Sequence, residues 1–142
     1  MRYPNSLNIF SEAETKNIAL EFSKDLKNGD VVILNGDLGS GKTFFVKEIG
    51  KLFDINNISS PTFAIVNEYS GRIKIYHFDF YRIEKSDELF DIGFNDYLND
   101  DAAVIFIEWG GLFPGILPGK RYEIKITLNE DFSRTFEINK YD

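Results

Sequence analysis

The chain has 142 residues, 43% of them hydrophobic and 27% charged, with a formal net charge of −7 and no cysteine. That length predicts one domain with a sizeable core and leaves no room for a separate substrate domain. The excess of acid argues against holding nucleic acid alone, and the lack of thiols excludes disulfides, thiolate catalysis and thiolate metal sites. Lack of cysteine also fits a reducing compartment. No apolar run reaches bilayer length, and Met1-Arg2-Tyr3-Pro4 leads into no signal-peptide core, so the expected location is cytoplasmic, without membrane association.

In chain order, Ser11 opens a helix with Glu14 three residues on, a capping-box pattern. Ile18, Ala19, Phe22 and Leu26 then mark one apolar face before Asn28-Gly29, where the helix is expected to stop. Its start, near Ser11 and Glu12, could give a nucleotide base a flank to lie against. Val31-Val32-Ile33-Leu34 reads as a buried strand. Next, Gly36-Asp37-Leu38-Gly39-Ser40-Gly41-Lys42-Thr43 fills every position of the G-x-x-x-x-G-K-[ST] phosphate loop. Phe45, Ile49, Leu52 and Phe53 follow at helical spacing, completing the order strand, loop, helix. Gly39 and Gly41 let backbone N–H groups turn inward around a triphosphate, and the helix adds the positive end of its dipole. Lys42 then supplies a point charge to the β- and γ-phosphates, while the Thr43 hydroxyl is placed to ligate Mg²⁺.

Beyond that helix, 58–62 is a loop in which Pro61 restricts Ser60 to extended geometry. Two extended runs, 63–69 and 73–80, flank Ser70-Gly71-Arg72 and read as a hairpin whose second strand ends in Asp79. Ser86 is expected to cap a short helix, broken by Asp91-Ile92-Gly93 before a second one. Ala103-Val104-Ile105-Phe106-Ile107 is the strongest buried-strand signal, and Glu108-Trp109 follow it at the rim where an open α/β sheet binds its ligand. Two last runs, 122–128 and 133–138, read as a closing hairpin. The class is therefore α/β: a P-loop NTPase-like three-layer domain over residues 1–142, with a mixed, partly parallel central sheet and β-hairpins.

Such a site needs a strand-end carboxylate on the metal side. Asp79 and Glu108 are the candidates; Glu108 is favoured for Mg²⁺ and Asp79 for polarising a water, although either alone equally suits a solvated strand end. Thr62, on spacing alone, reads as an ordinary loop threonine, and His77 as a satisfied core imidazole rather than a catalytic one. Trp109 reads as core by its place after a buried strand, with gating or partner contact left open by its place at the rim.

These blocks together resemble the TsaE family, the P-loop ATPase of bacterial tRNA threonylcarbamoyladenosine synthesis. The resemblance also rests on Ser60-Pro61-Thr62-Phe63, Asn67-Glu68-Tyr69, His77-Phe78-Asp79-Phe80-Tyr81-Arg82, Glu88-Leu89 with Gly93, and Ile107-Glu108-Trp109. It implies a weak ATPase using ATP and Mg²⁺, which works with the TsaB and TsaD proteins while threonylcarbamoyl is placed on adenosine 37 of tRNAs reading ANN codons. It further implies Lys42 on phosphates, Thr43 and Glu108 on the metal, and functional positions at Asp79, Thr62 and Trp109. Nucleotide contacts are implied at Ser11, Glu12, Asp37, Leu38, Gly39, Ser40, Gly41, Phe44 and Arg134. Many members have proline after the tryptophan where this chain has Gly110.

Two rival readings are weaker. Asn139-Lys140-Tyr141-Asp142 matches the guanine-selecting N-K-x-D pattern, yet no D-x-x-G follows the phosphate loop and no base pocket is expected around it. A small-molecule kinase would bring a lid with several arginines, whereas Arg2, Arg72, Arg82, Arg121 and Arg134 are scattered.

Overall fold

Val31, Val32, Ile33 and Leu34 are all buried, and they sit in the middle strand of the sheet on which the whole chain is hung. The computed structural model describes residues 1–60 and 64–142. In order, its elements are β1 (Asn5–Ile9), α1 (Glu12–Ser23), β2 (Val31–Asn35), α2 (Lys42–Leu52), β3 (Val66–Ser70) and β4 (Lys74–Asp79). There follow α3 (Asp87–Asp91), α4 (Phe94–Leu98), β5 (Ala103–Glu108), β6 (Arg121–Leu128) and β7 (Arg134–Tyr141). The strand order is β1-β7-β6-β2-β5-β4-β3, with β4, β5, β2 and β6 parallel and the outer pairings antiparallel.

Helices cover both faces. Ile18, Ala19 and Phe22 of α1 and Phe45, Val46 and Ile49 of α2 pack on Val32, Leu34, Val104, Phe106, Ile124 and Ile126. On the other face Ile33, Phe78, Ile105 and Ile107 meet Leu89 of α3 and Phe94 of α4, where the Phe78 and Phe94 rings stand edge to face at 5.3 Å. The expected three-layer α/β arrangement, its mixed sheet and both hairpins are present.

Some local expectations differ, and one strand was not expected. α1 ends at Ser23, five residues before Asn28, because Ser23 Oγ turns back onto the Leu20 carbonyl at 2.7 Å and Asp25 is drawn to Tyr3 (2.6 Å) and the terminal amine (3.2 Å). Ser86 stands at the N-cap with helical dihedrals, and its side chain makes no capping hydrogen bond; the Glu88 carboxylate instead accepts the N–H groups of Glu84 (2.7 Å) and Lys85 (3.0 Å). β1 had no sequence signal, since the polar Asn5-Ser6-Leu7-Asn8-Ile9 becomes a strand only by pairing with β7. β3 begins at Val66, so Ala64 and Ile65 of the run expected from 63 stand before the strand, and Phe63 lies outside the described residues. Asn139 and Lys140 belong to β7, at the end away from Arg134: Lys140 faces Tyr122, itself opposite Val32 at the start of β2. Among the described residues no helix is long and apolar enough to cross a membrane.

Candidate nucleotide site

β2 delivers its chain into a loop that two glycines make possible. At Gly36 a Cβ would stand 2.4 Å from the Ile126 carbonyl oxygen, so the loop could not pass β6 with any larger residue. Gly41, at φ +112°, is the N-cap of α2 and reverses the chain into the helix, which starts at Lys42. The Ser40 N–H closes the turn on the Asp37 carbonyl at 3.0 Å. Lys42 Nζ donates to the carbonyls of Gly36 (2.6 Å) and Asp37 (3.0 Å) and lies 4.4 Å from the centre of the Trp109 ring. Burial lowers its pKa, and the nearby carboxylates of Glu108, Asp79 and Asp37 oppose that shift.

The acids arrive from the neighbouring strands. Asp79 and Glu108 face each other in register at the carboxyl ends of β4 and β5. Thr43, one residue into α2, donates its hydroxyl to Glu108, with Oε2 at 2.8 Å and Oε1 at 3.1 Å. Glu108 is 4% exposed, and its Oε2 also lies 2.6 Å from His77 Nε2. Asp79 Oδ1 accepts the Tyr81 N–H at 2.9 Å, but burial dominates and, with help from Glu108, raises its pKa. Trp109 holds φ +63°, donates its N–H to the Leu34 carbonyl (2.8 Å), and packs its ring on Tyr81 at 4.9 Å.

These groups border a cavity of about 430 Å³. Leu38, Gly39, Gly41, Lys42 and Thr43 line it from the loop and the start of α2, and Asp79, Glu108 and Trp109 line it from the ends of β4 and β5. Glu12 and Phe44 line it as well, and so does Arg134, whose Nε holds the Ser40 carbonyl at 2.8 Å. Ser11 does not line it: its hydroxyl accepts the Glu14 N–H at 3.3 Å, as an N-cap should, while Glu14 reaches the Phe10 N–H at 2.8 Å. Asp37 and Ser40 likewise shape the loop rather than the cavity wall. Thr62 lies outside the described residues.

Among the described residues no group of three or more His, Asp and Glu could hold a metal by itself. The donors present, the Thr43 hydroxyl and the Asp79 and Glu108 carboxylates, are all oxygen. Such a set suits a hard cation that completes its shell with water and phosphate oxygens, as Mg²⁺ does.

The family model described as "Threonylcarbamoyl adenosine biosynthesis protein TsaE" matches residues 9–136. The chain belongs to the TsaE family. The protein named tRNA threonylcarbamoyladenosine biosynthesis protein TsaE in Rickettsia typhi is 41% identical over 133 residues, covering 92% of this chain and 91% of its own. The protein of the same name in Bacillus subtilis is 42% identical over 135 residues, covering 91% and 84%. The crystal structure of Bacillus subtilis YdiB superposes with a TM-score of 0.75 at 31% identity, covering 100% of this chain and 90% of that one.

The TsaE match takes in the phosphate loop, both acids and Arg134. Thr15 and Phe136 also line the cavity without having been singled out from the sequence, and so does Ser60, which the sequence marked only as part of a family block. Thr15 had left a trace: it is a polar residue on the apolar face of α1, in step with Ile18, Ala19 and Phe22. His77 had left the same kind of trace, on the parity of Ile75 and Asp79 in β4.

Proposed function

We propose that this chain is an ATP-binding protein with weak, Mg²⁺-dependent ATPase activity that supports TsaB and TsaD in forming threonylcarbamoyladenosine at adenosine 37 of tRNAs reading ANN codons. The observation that carries the ATPase part is the Thr43 hydroxyl seated on the Glu108 carboxylate at the foot of a complete phosphate loop. The names of its relatives, which refer to threonylcarbamoyladenosine biosynthesis, support the rest.

In this reading the loop amides and the N-terminus of α2 receive the phosphates, and Lys42 exchanges the Gly36 and Asp37 carbonyls for phosphate oxygens. Thr43 and Glu108 hold Mg²⁺, which supplies neutralising charge on the phosphates. Asp79 orients the attacking water for in-line displacement at the γ-phosphorus, a role that its raised proton affinity favours. Trp109 covers the Lys42 ammonium and keeps bulk water off it. Glu12, Leu38, Phe44 and Arg134 bound the rest of the nucleotide, Ser11 and Asp37 hold its surroundings in shape, and Thr62 is a further functional position.

Residues 1–142 act as one ATPase domain in the cytoplasm, and hydrolysis serves the turnover of the partner complex. With a charge of −7 the isolated chain does not bind tRNA directly. The N-K-x-D run stands away from the cavity, which favours adenine over guanine nucleotides. Titration calorimetry is expected to show ATP and ADP binding far more tightly than GTP and GDP. Equal affinities would refute this reading.

A further inference from the structure

His77 is the only histidine in the chain and has no exposed surface. Its strand neighbours Tyr76 and Phe78 enter the core under α3 and α4, while Ile75, two residues back, enters the core under α1 and α2. Alternation therefore puts His77 on the α2 side, where β4 would otherwise present hydrocarbon. What the imidazole meets there is Glu108 Oε2, at 2.6 Å, the same oxygen that takes the Thr43 hydroxyl at 2.8 Å. Nδ1 has no hydrogen-bond partner among the described residues.

We infer that His77 is a positioning residue for the metal-side carboxylate, an inference that rests on the reading of Glu108 given under Proposed function. With Glu108 ionised, the proton between the two groups sits on Nε2, and His77 donates. Glu108 is then gripped from two elements, by Thr43 on α2 and by His77 on β4, so its rotamer is set before a cation arrives. A glutamate held by one donor would keep torsional freedom that metal binding must remove. Outer partners of this kind orient the ligand and raise its affinity for the ion. A purely stabilising role explains less, because a buried imidazole–carboxylate pair loses the hydration of both groups and here leaves a ring nitrogen unpaired.

The test compares wild-type protein with His77→Phe and His77→Gln, titrating Mg²⁺ into each protein bound to a non-hydrolysable ATP analogue. His77→Phe is expected to bind the analogue normally without metal but to need ~10–100-fold more Mg²⁺ for the metal-dependent gain in affinity. His77→Gln, whose amide N–H can stand in for Nε2–H, is expected to recover most of that loss. A folded His77→Phe protein with the wild-type Mg²⁺ requirement overturns the inference. A second arm needs no variant: in wild-type protein carrying ¹⁵N-histidine, the single imidazole is expected to shift its Nε2 resonance when Mg²⁺ joins the analogue-bound protein. An unmoved resonance likewise overturns it. If the wild-type protein shows no Mg²⁺-dependent gain at all, the ATPase reading itself has failed, and the positioning role goes with it.

Discussion

Lys42 is an ammonium held at 5% exposure, with two carbonyls and an indole face for company and carboxylates nearby. Its charge is pre-aimed at the loop and poorly solvated, the condition under which one donor is worth most to a transition state. Lys42→Ala is expected to lower Mg²⁺-ATP turnover by roughly 10²–10³, measured as phosphate release, and an unchanged rate would remove the lysine from the chemistry. Asp79 shows the opposite economy. Burial lifts its folded-state pKa above the ordinary carboxylate value, so the native protein binds that proton more tightly than the unfolded chain does. Stability therefore falls as pH rises from the unfolded pKa through the folded one, and above it the penalty is complete. Asp79→Asn keeps an oxygen for the Tyr81 N–H and removes the charge. It is expected to raise the thermal unfolding midpoint at pH 7, to lose that gain in acid below the ordinary carboxylate pKa, and to abolish hydrolysis. A midpoint at pH 7 equal to or below that of the wild type would contradict this account.

At the scale of elements, the site is assembled from ends: the carboxyl ends of β2, β4 and β5, the amino end of α2 and the first residue of β7. The turn after β5 decides where the indole goes. Trp109 is left-handed, and the 3-10 turn Gly110–Leu112 begins at once, tied down by the Gly111 N–H on Asn35 Oδ1 at 2.9 Å. Gly110 is buried against β2, where a Cβ would stand 2.6 Å from Ile33 Cγ2 and 3.3 Å from Ile107 Cγ2. The turn is thereby packed down onto Ile33. Gly110→Ala is expected to cost ~1–3 kcal/mol, the usual range for overpacking a filled core, read as a lower urea midpoint with an unchanged slope. A midpoint equal to that of the wild type would mean that the turn can lift off the sheet freely.

Across the whole molecule, one seven-stranded sheet sets the positions of groups far apart in the chain. The helical and strand periods were legible because they are local: α2 repeats apolar residues at Phe45 and Ile49, and β5 is a continuous buried run. The early end of α1, the missing side-chain cap at Ser86 and the edge strand β1 were not legible, because each is settled by a partner distant in the chain or by a competing local hydrogen bond. The phosphate loop was fully written in the sequence, since eight contiguous residues and the conformational freedom of glycine suffice to specify it. The sequence favoured Glu108 over Asp79 for the metal side, but its contact with Thr43, 65 residues upstream, exists only because β5 is inserted between β2 and β4. His77 was legible merely as a polar residue in a buried strand, because the strand register that lays its imidazole on Glu108 is a property of the folded sheet. The sequence by itself thus determined the chemistry on offer, a phosphate loop with strand-end carboxylates, because backbone preference and side-chain type are local. The tertiary structure alone decided which donors grip the favoured carboxylate, because hydrogen bonds across a sheet depend on strand order and register.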